Sequence, residues 1–206
     1  MKKSIVSIFA ICFLAVTCVF AQADKAKIAA PVGTWNADAS HSNVKFTVTH
    51  LVISEVDGVF KKFEGSIKNK TADFNGSDIE FAVDVASVFT DNDMRDGHLK
   101  GDEFFSAEKY PKMTFKSTSF TKEGLGKYVL AGNLTIKDVT QKVTFAVTHG
   151  GVIKDPWGNT KAGFKAITTI SRKSFNLKWN NMTEAGGVVL GDNVNITLNL
   201  EFALAK

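Results

Sequence analysis

A two-residue period runs through most of this chain and limits what it can become. In NVKFTVTHLVI, Val44, Phe46, Val48, His50 and Val52 share one face, while Lys45, Thr47 and Thr49 take the other. Successive side chains of a strand point to opposite faces, so this is the pattern of a strand with one buried side. VDGVFKKFEGSI continues with Val56, Gly58 and Phe60 in phase. Phe63, Gly65 and Ile67 are out of phase with them, which predicts a bulge at Lys61-Lys62. The habit returns in Ile79, Phe81, Val83 and Val85, and again in Met113 and Phe115. It continues through Tyr128, Leu130, Gly132, Leu134 and Ile136, then Val143, Phe145, Val147 and His149. Ala162, Phe164, Ala166, Thr168 and Ile170 follow, and a last run alternates from Val194 to Leu204. Turn residues separate these runs at 123–126, 137–138 and 156–159.

One-sided alternation with short connections calls for antiparallel pairing. About eight such strands can close on themselves and so remove their exposed edges. The expected fold is therefore all-β, an eight-stranded antiparallel barrel, although a two-sheet sandwich has a similar pattern. A closed barrel of this size has an interior just wide enough for side chains or one slender ligand. Seventeen phenylalanines against two tyrosines, many on the inward faces, fit either a bulky core or a Phe-lined tube. The alternation does not tell the filled end of such a barrel from the open one.

The N-terminus has the layout of a secretory signal peptide over residues 1–23. Two lysines precede an apolar run from Ser4 to Phe20, and small residues permit cleavage after Ala21 or Ala23. Cys18 lies after a poor match to a lipobox, so a lipoprotein anchor is not expected. Both cysteines, Cys12 and Cys18, fall in the removed segment, which excludes thiol catalysis, cysteine zinc sites and disulfides from the mature chain. Loss of Lys2 and Lys3 leaves a nearly balanced charge, too small to call for nucleic acid. Residues 24–33 are small and polar and read as a flexible lead, with one domain over 34–206.

Between strands 3 and 4 the alternation stops. Residues 90–100, TDNDMRDGHLK, read as a short helix with a Thr90-x-x-Asp93 capping box, acids in the first turn and Gly101 at the end. At helical spacing Met94, Arg95, His98 and Leu99 share a face, with Asp93, Asp96 and Lys100 turned away. Such a helix can lid one end of the barrel, with Phe104-Phe105 as an apolar underside. Arg95 and His98 then either clamp the lid to loop carbonyls and carboxylates, or meet a ligand's head group with His41.

Four segments also carry a resemblance. TWNADASHSNVKFTVTHLVISEVDGVFKKFEGSI, RDGHLKGDEFFSAEKYPKMTFKS, GNLTIKDVTQKVTF and GFKAITTISRKSF resemble, in order and spacing, the YceI-like family. Arg-Asp-x-His-Leu followed by Phe-Phe and Tyr-Pro is the most specific part. The resemblance implies a periplasmic, lipocalin-like barrel that holds an isoprenoid or other amphiphilic lipid, with no catalysis and no cofactor. Asp138 and Gln141 depart from the Gly and Lys common there, as do Ser174 and Asn176 from Asp and Gly. Asn tolerates a left-handed backbone, so that turn is expected to survive.

The site expected on these grounds is an apolar tube of Phe46, Val48, Phe60, Phe81, Val83, Met113, Phe115, Phe145 and Phe164, lidded by Met94 and Leu99, with Arg95 and His98 at its polar mouth. The four histidines form no metal-binding spacing, and no H-E-x-x-H or G-x-S-x-G occurs, so neither metal nor catalysis is expected. An outer-membrane barrel is disfavoured by the few Tyr and Trp and by the C-terminal EFALAK. A barrel acting through a protein partner stays open, as do transient membrane contact and a homodimer.

Overall fold

The computed structural model describes residues 28–181 and 188–206. Its strands are β1 (Gly33–Ala37), β2 (Asn43–His50), β3 (Ser54–Phe60), β4 (Phe63–Asn69), β5 (Asp78–Asp84), β6 (Val88–Phe89), β7 (Lys112–Gly124), β8 (Lys127–Ile136), β9 (Val139–Lys154), β10 (Thr160–Ser171) and β11 (Leu190–Leu204). One helix, α1 (Asp93–Lys100), lies between β6 and β7, and a 3-10 turn, Arg172–Phe175, follows β10. The signal peptide expected over residues 1–23 lies outside the described residues.

All pairings are antiparallel, and they reduce to eight staves. β1 and β2 form one bent stave, because both run along β11, at Trp35↔Leu204 and at Phe46↔Ile196. β3 and β4 form a second stave against it, and β5 with β6 a third. β7 to β11 then follow in order, and β11 meets β1, closing the ring. The break between β3 and β4 falls at Lys61-Lys62, where the phase of the alternation changed. There both backbone N–H groups turn to Ser87, one to its carbonyl and one to its hydroxyl. A second irregularity, between Ser117 and Ser119, lets Phe115 and Phe120 both face inward although they are an odd number of positions apart.

Burial follows the period. On β9, Phe145 and Val147 are buried while Thr144, Ala146 and Thr148 are exposed. The turn after β10 holds as expected, with Asn176 at a left-handed φ of 58°, and the β8–β9 turn places Lys137 at 57° although lysine has no preference for that region. The lead expected to be flexible is partly packed. The Ala30 N–H donates to the Ala72 carbonyl, Pro31 accepts from Trp35 Nε1 and Asn69 Nδ2, and Gly33 already belongs to β1. The period-2 reading did not find β1, since five residues are too few to show a period.

One end of the barrel is filled. Trp35 and Phe74 have no exposed surface, and their rings meet edge to face at 5.2 Å. Phe74 also packs edge to face on Phe164 at 5.1 Å and on His149 at 5.3 Å, while Phe120 stacks on Tyr128 at 4.7 Å. Phe74 sits in a loop with φ 63°, an unfavourable region for a bulky residue. Burying the ring offsets that strain, and the loop is pinned by Tyr128 Oη donating to the Asp73 carbonyl and by Lys122 on the Asp73 carboxylate. Phe74→Ala is expected to lower unfolding free energy by roughly 3–5 kcal/mol, read as a shifted urea midpoint. A shift of under about 1 kcal/mol would show that the plug carries little of the stability.

Candidate functional site

Above the plug the interior is hollow. A cavity of about 200 Å³ runs up the barrel axis between the aromatic plug and the lid. Of the side chains expected on the tube, Phe46, Val48, Phe60, Phe81, Val83, Leu99, Met113, Phe115, Phe145 and Phe164 all line it. Alternation brings them together, because every stave offers its inward residues to the same lumen. Phe120, Phe164 and Phe202 floor the cavity, and Leu99, Phe104, Phe105, Leu177 and Leu190 close its upper end. The wall is almost entirely hydrocarbon. Lys45 contributes to it but sends its ammonium outside to Asp57, at 2.8 Å.

Met94, Arg95 and His98 do not line the cavity, and the reason is local. The N-cap of α1 is Asn92, whose side chain accepts from the Arg95 N–H at 2.9 Å, rather than Thr90. Thr90 instead donates its backbone N–H and its hydroxyl to the Asp96 carboxylate, at 2.9 and 2.6 Å, and Asp96 is buried with it. Turning Asp96 inward turns Met94 outward, where it is 86% exposed. The Arg95 guanidinium closes the same knot, donating to the Thr90 hydroxyl and carbonyl at 2.7 Å each. His98 Nε2 pairs with Glu103 at 2.7 Å, and its ring stands edge-on to Phe104 and Trp179. Both residues thus clamp the lid. Leu99 with Phe104 and Phe105 supplies the underside expected of it.

A buried charged group that does border the cavity is Arg172, 2% exposed. Nε donates to the Gly191 carbonyl at 2.8 Å, and Nη1 to the Leu177 and Trp179 carbonyls at 2.6 and 2.7 Å. Nη2 reaches the Leu190 carbonyl and Asp192. Burial pushes the guanidinium pKa down and the Asp192 carboxylate partly restores it. The planar fork ties the 3-10 turn, residues 177–179 and the start of β11 into one rim. Sequence reasoning passed over it as a turn residue. A signal was available: Arg95 and Arg172 are the only arginines in a chain otherwise supplied with lysine, and both are forks that bind carbonyls.

His41 is not at this rim. It lies at the β1–β2 bend with Asp38 and Glu201, the three oxygen and nitrogen ligands close enough for a cation. Lys161 fills that position, with its ammonium 2.6 Å from Asp38 and 3.0 Å from Glu201. Lys161 foremost, then Ser40 and His41, holds the Asp38 carboxyl well below the usual range, and Asp38 raises Lys161 in return. The cluster is an ion network that fastens the bend to β10 and β11.

Together these features make a closed eight-stranded barrel with an apolar lumen under a clamped helical lid. The chain belongs to the YceI-like family, whose domain matches residues 35–202. A UPF0312 protein of Staphylococcus epidermidis is 36% identical over 171 residues, covering 82% of this chain and 97% of that one. A UPF0312 protein of Staphylococcus aureus is 34% identical over 170 residues, covering 82% and 96%. Among solved structures, the Campylobacter jejuni YceI protein has a TM-score of 0.67 at 32% identity, covering 77% of this chain and 90% of that one. BcnA of Burkholderia cenocepacia has 0.68 at 27%, covering 80% and 98%. A domain of Saccharophagus degradans described as polyisoprenoid-binding, at 15% identity and TM-score 0.62, shares the fold over 85% of this chain and all of its own.

Asp38 has a depressed folded-state pKa, so its contribution is full above the ordinary value of 3.8 and fades as pH falls below it. Lys161→Met is expected to cost about 1–3 kcal/mol at neutral pH, between an exposed and a fully buried pair. In urea titrations that cost should shrink on acidification below the ordinary carboxylate pKa. A cost that stays constant down the acid range would contradict the assignment.

Proposed function

We propose that this protein binds one long apolar chain, isoprenoid or fatty, along the barrel axis, and carries or sequesters it in the periplasm after export on residues 1–23. The observation that supports the reading is the continuous hydrocarbon lining from Leu177 and Phe105 down to Phe120 and Phe164. An apolar cavity of this kind stays dry, so a chain entering it displaces no ordered water. The aromatic plug seals the far end, which leaves the lidded end for entry and for any head group. The polyisoprenoid-binding description of the S. degradans domain accords with such a ligand.

The energies are adequate for as much of a chain as a lumen of about 200 Å³ encloses. At about 0.3 kcal/mol per heavy atom, a twenty-carbon chain would return roughly 6 kcal/mol. At about 0.8 kcal/mol per buried methylene the same chain would return more than twice that. A fully enclosed chain would therefore bind at tens of micromolar or tighter, and affinity alone does not name the physiological lipid. The polarity of the barrel also fits a protein in water: the lumen is apolar, and the outer face carries pairs such as Lys112–Glu64 and Lys116–Glu80. A barrel spanning lipid has the opposite arrangement.

Ala166, buried on β10 and part of the wall, offers a test. Ala166→Phe places a ring in the lumen at a folding cost of about 1–3 kcal/mol. Radiolabelled geranylgeraniol should co-elute with wild type on gel filtration at one chain per protein. It should be lost from Ala166→Phe while the elution volume and circular dichroism stay unchanged. Met94→Ala, outside the cavity, should bind as wild type does. Co-elution undiminished in Ala166→Phe would place the chain elsewhere, and none with wild type would leave the barrel to act through a protein partner.

A further inference from the structure

Three of the phenylalanines on the cavity wall lie over glycines of the neighbouring strand. A Cβ built on Gly58 would fall 2.2 Å from Phe46 Cζ, and one on Gly65 would fall 2.3 Å from Phe81 Cδ2. One on Gly132 would fall 2.4 Å from Phe115 Cζ. Phe46 and Phe81 stand directly opposite their glycines in register, and Phe115 lies diagonally across from Gly132. None of these glycines has positive φ, so no backbone conformation demands them. What each position requires is the absence of a side chain. Glycine inside a strand weakens it and marks a place where another group approaches closely. Here that group is a ring laid against the barrel wall.

The consequence is the width of the tube. Ordinary Cβ contacts begin near 3.4 Å, so a methyl group at Gly58 or Gly65 would drive the ring about 1 Å into the lumen. In a cavity of about 200 Å³, such a shift changes which cross-sections pass. We propose that Gly58, Gly65 and Gly132, by letting Phe46, Phe81 and Phe115 lie flat, set a bore that admits a methyl-branched chain. The proposal rests on the tube reading above and names the residues that fix the width of that tube. An unbranched chain is uniformly narrow and tolerates a tighter bore. A methyl-branched chain widens at each branch and does not. In the open bore the branches add apolar contact, so the branched chain is the tighter ligand.

Phytanol and hexadecanol separate these cases, since they share a backbone length and differ only in methyl branches. Wild type should bind phytanol more tightly. Gly65→Ala should weaken phytanol about tenfold or more and hexadecanol less than about threefold, within the range one methylene-sized change produces in an apolar pocket. Adding Phe81→Leu to Gly65→Ala should restore phytanol. Equal weakening of both chains, or of neither, overturns the proposal. If Gly65→Ala does not fold, Phe81→Leu alone decides: widening the bore must raise the phytanol-to-hexadecanol preference, and an unchanged preference overturns it. Failure of wild type to bind either chain would instead strike the tube reading itself, and the proposal with it. Gly132 is unsuited to the test because its added methyl would also meet the Lys116 carbonyl, at 2.5 Å.

Discussion

Closure of the sheet through β11 is the constraint on which the rest depends. That strand pairs with β10 along one edge and with both β2 and β1 along the other, so the last stave of the chain closes onto the first. A closed ring satisfies every stave's ladder and turns every inward residue toward one axis. What then happens along that axis is decided by side-chain size. Toward β1 the inward positions are Trp35, Phe74, Tyr128 and Phe164, and they fill the space. Higher up, the inward positions include Val44, Val48, Val83 and Ala166, and three of the larger rings are drawn back over glycine. The same fold is thereby solid at one end and hollow at the other.

The lid and the rim solve a different problem, that of ending a barrel without exposing unsatisfied backbone. Thr90, Asp96 and Arg95 form a closed knot in which the buried carboxylate accepts from a hydroxyl and an N–H, and the guanidinium takes a carbonyl. Arg172 does the same across the rim with four backbone carbonyls. Buried charge of this sort is costly unless each donor and acceptor finds a partner. Here they do, and the groups that looked available for a ligand are occupied in holding the structure. Among the described residues the lumen wall offers almost no polar surface, so on the proposed function shape and apolar area would carry the selection of what enters.

Much of this was legible in the sequence, and the limits have physical causes. A period of two identifies the face a residue takes, so the inward wall from Phe46 to Phe164 could be assigned with no structure, as could the phase break at Lys61-Lys62. The helix between the third and fourth staves followed from its loss of alternation and from Gly101 at its end, although Asn92 and not Thr90 caps its start. Which face that helix buries did not follow. A helical wheel ranks Met94 above Asp96 for burial, and only the position of Thr90 reverses the order. The short β1 strand offers too few residues for a period. Arg172 could not be distinguished from a solvated turn charge by spacing, because its partners are carbonyls distributed over β11 and residues 177–179. Whether an inward Phe fills the lumen or lies flat depends on the residue across the strand, which is a tertiary fact.

The measurement that bears most directly on the central claim is native mass spectrometry of the protein isolated gently from the cells that make it, with extraction and identification of whatever it carries. The tube account expects a stoichiometric adduct, released by organic solvent, whose mass is that of a single apolar chain with a small head group. A protein that arrives at its bare mass, and gains nothing after exposure to a total lipid extract of the same cells, would contradict it.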